Sequence, residues 1–243
     1  MSVLAYLHER IRGGKVHLSL LDPEKLTPAE AGETAFRAQL AGSDGIMVGG
    51  STGVTATDTD ATVKAIKDRV RAPVILFPGG AHMLSRYADA VYFMSMLNSQ
   101  DVRMIVGEQR KAARRIKEWG LETIPMGYLI VEPGMRVGEV GHAKPIPRDD
   151  VEEAVRYALT AQFLGMQLVY LEAGSGAPEP VPPKMVAAVK AEVSIPVIVG
   201  GGIRTPEAAR ATARAGADIV VTGTVLEEDQ PRLQAIVDAV KGL

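Results

Sequence analysis

Eight short apolar runs recur along the sequence, and they constrain its fold more than any other feature. They occupy residues 17–21, 45–48, 74–77, 90–97, 122–131, 168–171, 197–199 and 219–221. Segments with helical spacing separate most of them, at residues 29–42, 101–119, 149–164, 183–192, 206–215 and 229–240. Strands that alternate with helices form parallel βαβ units, and near-continuous apolar runs indicate strands covered on both faces. Eight such strands in a chain of 243 residues favour a (β/α)8 barrel over a doubly wound sheet.

The third unit of this predicted barrel is short. Only residues 78–89 lie between the third and fourth apolar runs, which leaves room for a short third helix or for none. Elsewhere, the pairs Thr27-Pro28 and Thr205-Pro206 place a capping residue and a proline where a helix should begin. No linker or low-complexity segment divides the chain, so we predict one domain over residues 1–243.

The composition excludes several classes of protein. The formal net charge of −2 lacks the basic excess of a nucleic-acid-binding surface, so we expect no nucleic-acid partner. The absence of cysteine excludes disulfides, thiolate metal sites and a cysteine nucleophile, and it fits a reducing cytosol. The N-terminal residues do not read as a signal peptide, and no apolar run reaches about 18 residues. We therefore expect a cytoplasmic protein.

Glycines follow the last predicted strands, at the edge of the barrel where ligands bind. In (β/α)8 barrels that edge holds the active site, and phosphate commonly binds after strands seven and eight. Gly200-Gly201-Gly202 follows the seventh strand, and Gly223-Thr224 follows the eighth. Backbone N–H groups there, with the N terminus of a following helix, can bind a dianion without a lysine. These glycines could instead form only tight turns, but their occurrence after both expected strands favours a phosphate site.

Oxygen ligands follow the first two strands. Asp22 ends the first apolar run, and Ser51 follows the glycines that end the second. Neighbouring strands would bring these side chains together. Mg²⁺ suits such a site, because it takes one or two protein oxygens and is otherwise bound by water and substrate phosphates. The alternative, which position alone leaves equally open, is that Asp22 caps the helix near Thr27 and Ser51 forms a turn.

The positions of lysine and histidine limit the catalytic mechanisms that the sequence favours. No lysine lies within a predicted strand, which argues against a Schiff-base aldolase. The four histidines are scattered and do not pair at metal-ligand spacing. His17 starts the first strand, far from the ligand-binding edge, and is predicted to be structural. Positioning, metal and carboxylate chemistry are therefore favoured over a histidine relay.

Two further segments are candidates for ligand contact. Residues 133–145 exceed a usual βα connection, and their three glycines suit a mobile lid on which Arg136 and Lys144 would meet a pyrophosphate. A solvated surface loop is the alternative. Residues 92–99 crowd apolar side chains near the end of the fourth strand, where they either line a groove for an apolar ligand or belong to the core.

Several of these segments together resemble the geranylgeranylglyceryl phosphate synthase family. The most specific is YLEAGSG at residues 170–176; the others are GGGI at 200–203, DP at 22–23, GGS at 49–51 and MLNS at 96–99. They occur in the family's order from about Leu18 to Gly223, which is nearly the whole chain. The resemblance implies a (β/α)8 TIM barrel whose third helix is replaced by a short irregular segment, in agreement with the short stretch at 78–89.

The resemblance also implies a Mg²⁺-dependent prenyltransferase. In this family the geranylgeranyl group of geranylgeranyl diphosphate is joined to the C3 hydroxyl of sn-glycerol 1-phosphate, which forms the first ether bond of archaeal membrane lipids and releases diphosphate. By position, Asp22 and Ser51 would hold Mg²⁺ on the diphosphate. The glycerol would be bound by Tyr170, Leu171, Glu172, Ala173, Gly174, Ser175 and Gly176, and its phosphate by Gly201, Gly202, Gly223 and Thr224.

Three residues receive chemical roles in that reaction. Glu172 would accept the proton of the glycerol hydroxyl or hold that hydroxyl in line with the reacting carbon. Tyr170 would fix the glycerol. Tyr128, on the fifth strand, would face the allylic cation through its ring.

Other readings remain open at this point. A bacterial-type relative that transfers a longer heptaprenyl chain would share every polar motif. A sugar-phosphate isomerase or lyase would keep the phosphate site and need no lipid groove, whereas a non-catalytic phosphate-binding barrel would leave Asp22 and Glu172 unexplained. Family members form dimers or larger rings, so we expect a homo-oligomer. Peripheral membrane contact would follow from the lipidic substrate tail and product, although no basic amphipathic helix is evident in the sequence.

Overall fold

The chain folds as a closed parallel barrel. A computed structural model describes residues 1–50, 53–223 and 230–242, and in it eight parallel strands pair in chain order, with β1 closing on β8. The strands are β1 (Val16–Leu21), β2 (Gly45–Gly50), β3 (Val74–Pro78), β4 (Ala90–Met96), β5 (Glu122–Ile130), β6 (Leu168–Glu172), β7 (Val197–Gly200) and β8 (Ile219–Thr222). The predicted (β/α)8 TIM barrel is confirmed.

Helices surround the barrel, and those predicted from helical spacing are present. The α-helices are α1 (Val3–Gly13), α2 (Pro28–Leu40), α3 (Ala56–Lys67), α4 (Glu108–Trp119), α5 (Met135–Val140), α6 (Val151–Phe163), α7 (Pro183–Glu192), α8 (Pro206–Arg214) and α9 (Gln230–Lys241). A π-helical turn, Arg103–Gly107, leads into α4. Within the described ranges, no helix is both long enough and apolar enough to cross a bilayer.

Three helices, α1, α3 and the short α5, are not predicted by the helical spacing of the sequence. Threonine and aspartate fill the first half of α3, and both have low helix propensity. The helix forms because Thr55 and Asp58 make a capping box and because its inner face, including Val63 and Ile66, is buried. At the amino ends of the strands, α1 closes the barrel, where Glu122 accepts hydrogen bonds from the N–H groups at its start.

Alternation along each strand divides the core into two layers. In β6, Leu168 and Tyr170 belong to the cluster inside the barrel, whereas Val169 and Leu171 belong to the cluster between barrel and helices. Glu172, two residues after Tyr170, therefore points inward at the carboxyl end of its strand. The two-residue period thus decides which side chains of residues 170–173 can reach the barrel mouth.

The helix expected between β3 and β4 is missing, as predicted. A single 3₁₀ turn, Ala81–Met83, occupies its place. This irregular segment is tied to α4, because Glu108 Oε2 accepts a hydrogen bond from Ala81 N at 2.9 Å. The outward side chains of β4, Val91 and Phe93, consequently face a cavity where most barrel strands face a helix.

A buried histidine joins β1 to β8 and to the turn before β2, near the opposite end of the barrel. The ring nitrogens of His17 lie 2.9 Å from Ser43 Oγ and 3.0 Å from Thr222 Oγ1. Burial lowers the pKa of His17 from 6.5 to about 4, with Lys241 acting in the same direction and Asp44 opposing it. The imidazole is therefore neutral and structural, as its position in the sequence predicted.

Candidate active site

A cavity of about 460 Å³ opens at the carboxyl ends of the strands. The residues at its mouth come from several strand ends: Asp22 after β1, Gly50 of β2, Glu172 and Ser175 at and after β6, and Gly223 after β8. Residues distant in the sequence thus meet at the edge where the sequence predicted a site. The mouth holds carboxylates and glycines, which makes it the polar part of the cavity.

The rest of the cavity is apolar and extends outward through the gap left by the missing helix. We call this part the channel. Its lining comes from the irregular segment, β4 and α4, and includes Ala81, Leu84, Val91, Phe93, Ala112 and Ile116. One continuous space therefore joins a polar mouth to an apolar channel.

The predicted apolar groove at residues 92–99 is confirmed only in its first half. Tyr92, Phe93, Met94 and Met96 line the cavity. Leu97, by contrast, packs against the core between barrel and helices. The residues after Met96 do not line the cavity because β4 ends there and the chain turns away.

Asn98 and Ser99 have a different function, because they fix the segment 133–145. The side-chain amide of Asn98 donates to the carbonyls of Ile130 (2.8 Å) and Lys144 (2.9 Å), and its oxygen accepts from Ile130 N (3.1 Å). Ser99 Oγ donates to the carbonyl of Gly141 at 2.6 Å. These bonds anchor the far end of the segment that was predicted to be a lid.

Within that segment, α5 brings one of the two predicted cations to the site. Arg136 lines the cavity, whereas Lys144 is exposed and is not among the lining residues. Met135–Val140 within the segment form α5, so the segment is partly helical, while several of its residues are exposed as in a surface loop. A lid motion of α5 stays a prediction.

Glu172 is the buried carboxylate of the mouth. Its side chain is about 5% exposed, and Gly174 N donates to Oε1 at 2.7 Å. Burial raises the pKa of Glu172, while hydrogen bonding from Gly174 and from the hydroxyls of Tyr170 and Tyr128 opposes the rise. The result is a fixed carboxylate of increased basicity beside an apolar space, which suits a proton acceptor.

Aromatic rings pack beneath Glu172. Tyr128 and Tyr170 meet edge to face with centroids 5.2 Å apart, and Phe77 lies 5.4 Å from Tyr128 and 5.6 Å from Tyr170. Desolvation and the neighbouring carboxylate raise the pKa of both tyrosines, so their hydroxyls stay protonated and can donate to Glu172. Tyr128 and Phe77 line the cavity, whereas Tyr170 is fully buried behind them.

The remaining residues of the predicted glycerol-binding segment fall into two groups. Some side chains point into the core, and others lie at the cavity mouth. The side chains of Leu171 and Ala173 lie in the core between barrel and helices, so any substrate contact from them would come from the main chain. Ser175 is exposed and lines the cavity mouth. Gly174 and Gly176 have φ values of +99° and +83°, which favour glycine and turn the chain back over the barrel.

Two of the predicted phosphate-binding glycines lie beside this turn. Gly201 and Gly202 have φ values of +81° and +72°. A Cβ on Gly201 would collide with Glu172 and Gly174, so only glycine allows the loop after β7 to approach the loop after β6. In the part of the chain that the structure describes, no acceptor takes a hydrogen bond from the N–H of Gly201 or Gly202. Both amides are thus suited to bind an anion.

Of the two residues predicted to bind phosphate after β8, one lies within the described residues. Gly223 lines the cavity, whereas Thr224 lies outside the described residues. On the β7 side, the helix α8 that follows Gly202 begins at Pro206 and is capped by Thr205, whose hydroxyl accepts a hydrogen bond from Ala208 N. The positive end of the α8 dipole therefore lies close in sequence to the candidate anion site.

Asp22 stands at the mouth, but it does not cap α2. Thr27 and Glu30 form the capping box of that helix, so the alternative role for Asp22 is wrong. Asp22 Oδ1 accepts a hydrogen bond from Glu24 N at 3.0 Å and would lie 2.8 Å from a Cβ on Gly50. The carboxylate therefore lies against the end of β2. Its predicted partner Ser51 is outside the described residues.

The donor set at Asp22 fits Mg²⁺ as a substrate-linked ion. Over residues 1–50, 53–223 and 230–242, no group of three His, Cys, Asp or Glu side chains could hold a metal by itself. Mg²⁺ does not need one, because it keeps several waters and commonly binds through one or two carboxylates together with substrate phosphates. A single cavity-lining carboxylate beside Gly50 meets that requirement.

Several site residues were not identified from the sequence. Phe77 precedes Pro78-Gly79-Gly80, and this strand-to-glycine pattern after the third strand could have identified it. Ala112 and Ile116 of α4 line the channel only because the helix before them is missing. No local signal marks them, since their exposure to a ligand depends on packing across the barrel wall.

Comparison with known proteins identifies the relatives of this chain. The model of the PcrB family matches residues 8–241. A geranylgeranylglyceryl phosphate synthase of Thermococcus kodakarensis is 54% identical over 226 residues, which are 93% of this chain and 90% of that protein. Another, of Methanothermobacter thermautotrophicus, is 50% identical over 243 residues, which are 100% of this chain and 99% of that protein.

A solved structure agrees with these relatives. The crystal structure of (S)-3-O-geranylgeranylglyceryl phosphate synthase from Thermoplasma acidophilum, in complex with its substrate sn-glycerol-1-phosphate, matches with a TM-score of 0.97 and 49% sequence identity. The match covers 100% of both chains. With a family match over nearly its whole length and relatives at about half identity, the chain belongs to the PcrB family.

Proposed function

We propose that this protein joins the geranylgeranyl group of geranylgeranyl diphosphate to the C3 hydroxyl of sn-glycerol 1-phosphate and releases diphosphate. The observation that carries the proposal is the single cavity that joins a carboxylate- and glycine-lined mouth to an apolar channel. A sugar-phosphate isomerase would need the mouth but has no use for the channel. Relatives named geranylgeranylglyceryl phosphate synthase support the coarser statement, that the protein is a prenyltransferase.

The acceptor phosphate would bind at the glycines of the mouth. Gly201 and Gly202 offer backbone N–H groups there, and Gly223 approaches from β8. Ser175 and the turn at Gly174 and Gly176 would then hold the glycerol between its phosphate and Glu172. The sn-glycerol-1-phosphate complex of the Thermoplasma acidophilum relative supports this choice of acceptor.

Glu172 would act on the reacting hydroxyl. As the C3 oxygen forms its bond to C1 of the prenyl group, the bond from C1 to the diphosphate oxygen breaks, and the hydroxyl proton passes to the Glu172 carboxylate. Burial keeps this carboxylate basic, and the Gly174 hydrogen bond fixes the orientation of the oxygen. A positioned base also supplies the alignment on which such a displacement depends.

The two tyrosines would support Glu172 in different ways. Tyr170 is buried, so it would fix the glycerol indirectly, by holding the carboxylate that contacts it. Tyr128 lines the cavity, and its ring would face positive charge that develops on the prenyl carbon. Phe77 completes the dry aromatic surface around that carbon.

Asp22 would hold Mg²⁺ on the donor diphosphate, with Ser51 as the second predicted oxygen ligand. When bound, the ion would neutralise charge on the departing diphosphate. Arg136 lies on the cavity wall and would meet the diphosphate with a positive charge. The prenyl tail would then occupy the channel between β4 and α4.

An assay with paired substrates tests the proposal. Purified protein and Mg²⁺ are supplied with sn-glycerol 1-phosphate or its enantiomer sn-glycerol 3-phosphate, and with prenyl diphosphates of graded length, and the products are identified by mass spectrometry. We expect the geranylgeranyl ether from the 1-phosphate and little from the 3-phosphate. A preference for a heptaprenyl donor would show that the protein makes the longer product. Failure of every prenyl donor would refute the proposal.

A further inference from the structure

The outer face of α4, together with Arg103 of the π-helical turn before it, concentrates positive charge in a weakly acidic chain. Residues 101–119 contain six basic and three acidic side chains, although the whole chain has a formal net charge of −2. All six basic residues are exposed; we call them the basic face: Arg103, Arg110, Lys111, Arg114, Arg115 and Lys117. This corrects the expectation that no basic amphipathic helix is present.

The acidic neighbours leave most of this charge available. Arg114 pairs with Glu118 at 3.0 Å, but both side chains are more than half exposed, and such pairs contribute little. Glu108 contacts Lys111 with one oxygen and accepts from Ala81 N with the other, which keeps it on the inner side of α4. Asp101 pairs with Arg103 at 2.5 Å and is only 16% exposed, so Arg103 keeps its partner. The guanidinium group of Arg114 can exchange its partner for an external anion.

The opposite face of the same helix lines the channel. Ala112 and Ile116 point inward to the cavity. At the start of the helix, Val102 and Val106 are 67% and 54% exposed, and Met104 between them lines the cavity. A helix with cations outside, apolar side chains inside and exposed valines at one end has the composition of a helix that lies at a lipid surface.

We propose that the basic face of α4 docks on the anionic surface of a lipid bilayer. Docking there places the wall of the channel, and the exposed valines at its end, against the membrane into which a prenylated product partitions. The charge complementarity to lipid phosphates and the continuity with the channel identify this occupant. The inference rests on the proposed function, because that function supplies the prenylated product.

Vesicle binding without any substrate tests the inference. Protein is sedimented with vesicles of phosphatidylcholine alone or of phosphatidylcholine mixed with phosphatidylglycerol. Trp119, the only tryptophan of the chain and the last residue of α4, reports docking by its fluorescence. We expect binding to the anionic vesicles alone, and its loss as salt shortens the Debye length from about 10 Å to about 3 Å.

Charge variants locate the contact. The double variant Arg110→Gln/Lys117→Gln removes two cations from the basic face, and we expect binding to fall about 25-fold, or about fivefold for each charge. The matched control Arg210→Gln/Arg214→Gln removes two exposed cations from α8 and should bind as the parent does. Equal loss in both variants, or equal binding to neutral vesicles, would overturn the proposal.

Two further measurements separate this inference from its alternatives. Prenyl transfer in solution is measured for the Arg110→Gln/Lys117→Gln variant and the parent, and we expect equal rates because neither residue lines the cavity. Transferase activity without vesicle binding would refute the docking and leave the proposed function intact. A change of oligomeric state in that variant, by analytical ultracentrifugation, would assign the basic face to a second copy of the chain and also overturn the proposal.

Discussion

Lowering the pH should destabilise this barrel through one residue, His17. The pKa of the buried imidazole is lowered from 6.5 to about 4 by desolvation. Above pH 6.5 both folded and unfolded states carry a neutral ring. Between those two values the unfolded chain binds a proton that the folded chain does not, so stability falls as pH falls.

The size of the effect follows from the shift. Each pH unit within that window costs about 1.4 kcal/mol, so the folded state loses about 2 kcal/mol by about pH 5 and about 3.4 kcal/mol in full. A proton on the ring would also disturb its contacts with Ser43 and Thr222, one on each ring nitrogen.

Denaturant unfolding of the parent and of His17→Gln, at about pH 7.5 and about pH 5, isolates this contribution, because other groups titrate alike in both proteins. The stability advantage of the parent over His17→Gln should shrink by about 2 kcal/mol at the lower pH. The exposed His142, replaced in His142→Gln, serves as the control. An advantage that is equal at both pH values would refute the reasoning.

Three other predictions concern the site. Glu172→Gln keeps the side-chain volume but removes the proton acceptor, so single-turnover rates should fall by about 10²-fold or more with little change in donor binding; near-normal turnover would remove Glu172 from the mechanism. Asp22→Asn should raise the Mg²⁺ concentration needed for half-maximal rate, and an unchanged titration would count against a metal role. Ala112→Phe should block the channel, so that activity with a twenty-carbon donor falls at least about tenfold while a ten-carbon donor still reacts, by analogy with pocket discrimination. Ala113→Phe, on the exposed side of α4, is its control, and equal effects of the two would refute a tail in the channel.

The strands and the mouth of the site were predictable because their signals are local. Glycines follow the apolar runs of several strands, β2, β3, β7 and β8 among them, and the two-residue period places Glu172 inward once β6 is recognised. The helix α3 was missed because threonine and aspartate hide it, and burial of its inner face stabilises it against propensity. The channel could not be predicted residue by residue. It exists because β4, α4 and the 3₁₀ turn leave a space that none of them specifies alone.

Because no α-helix lies among the described residues between β3 and β4, the stability of the fold should depend on its bound ligand. The outward residues Val91 and Phe93 line the apolar channel, so an apolar chain bound there would pack against the core between barrel and helices. A ligand that binds the folded state alone adds about 2.7 kcal/mol of stability at a hundredfold excess over its dissociation constant. A bound prenyl chain would therefore pack as part of the hydrophobic core and stabilise the folded state. The amount of folded protein in a cell should accordingly rise with the concentration of the prenyl donor.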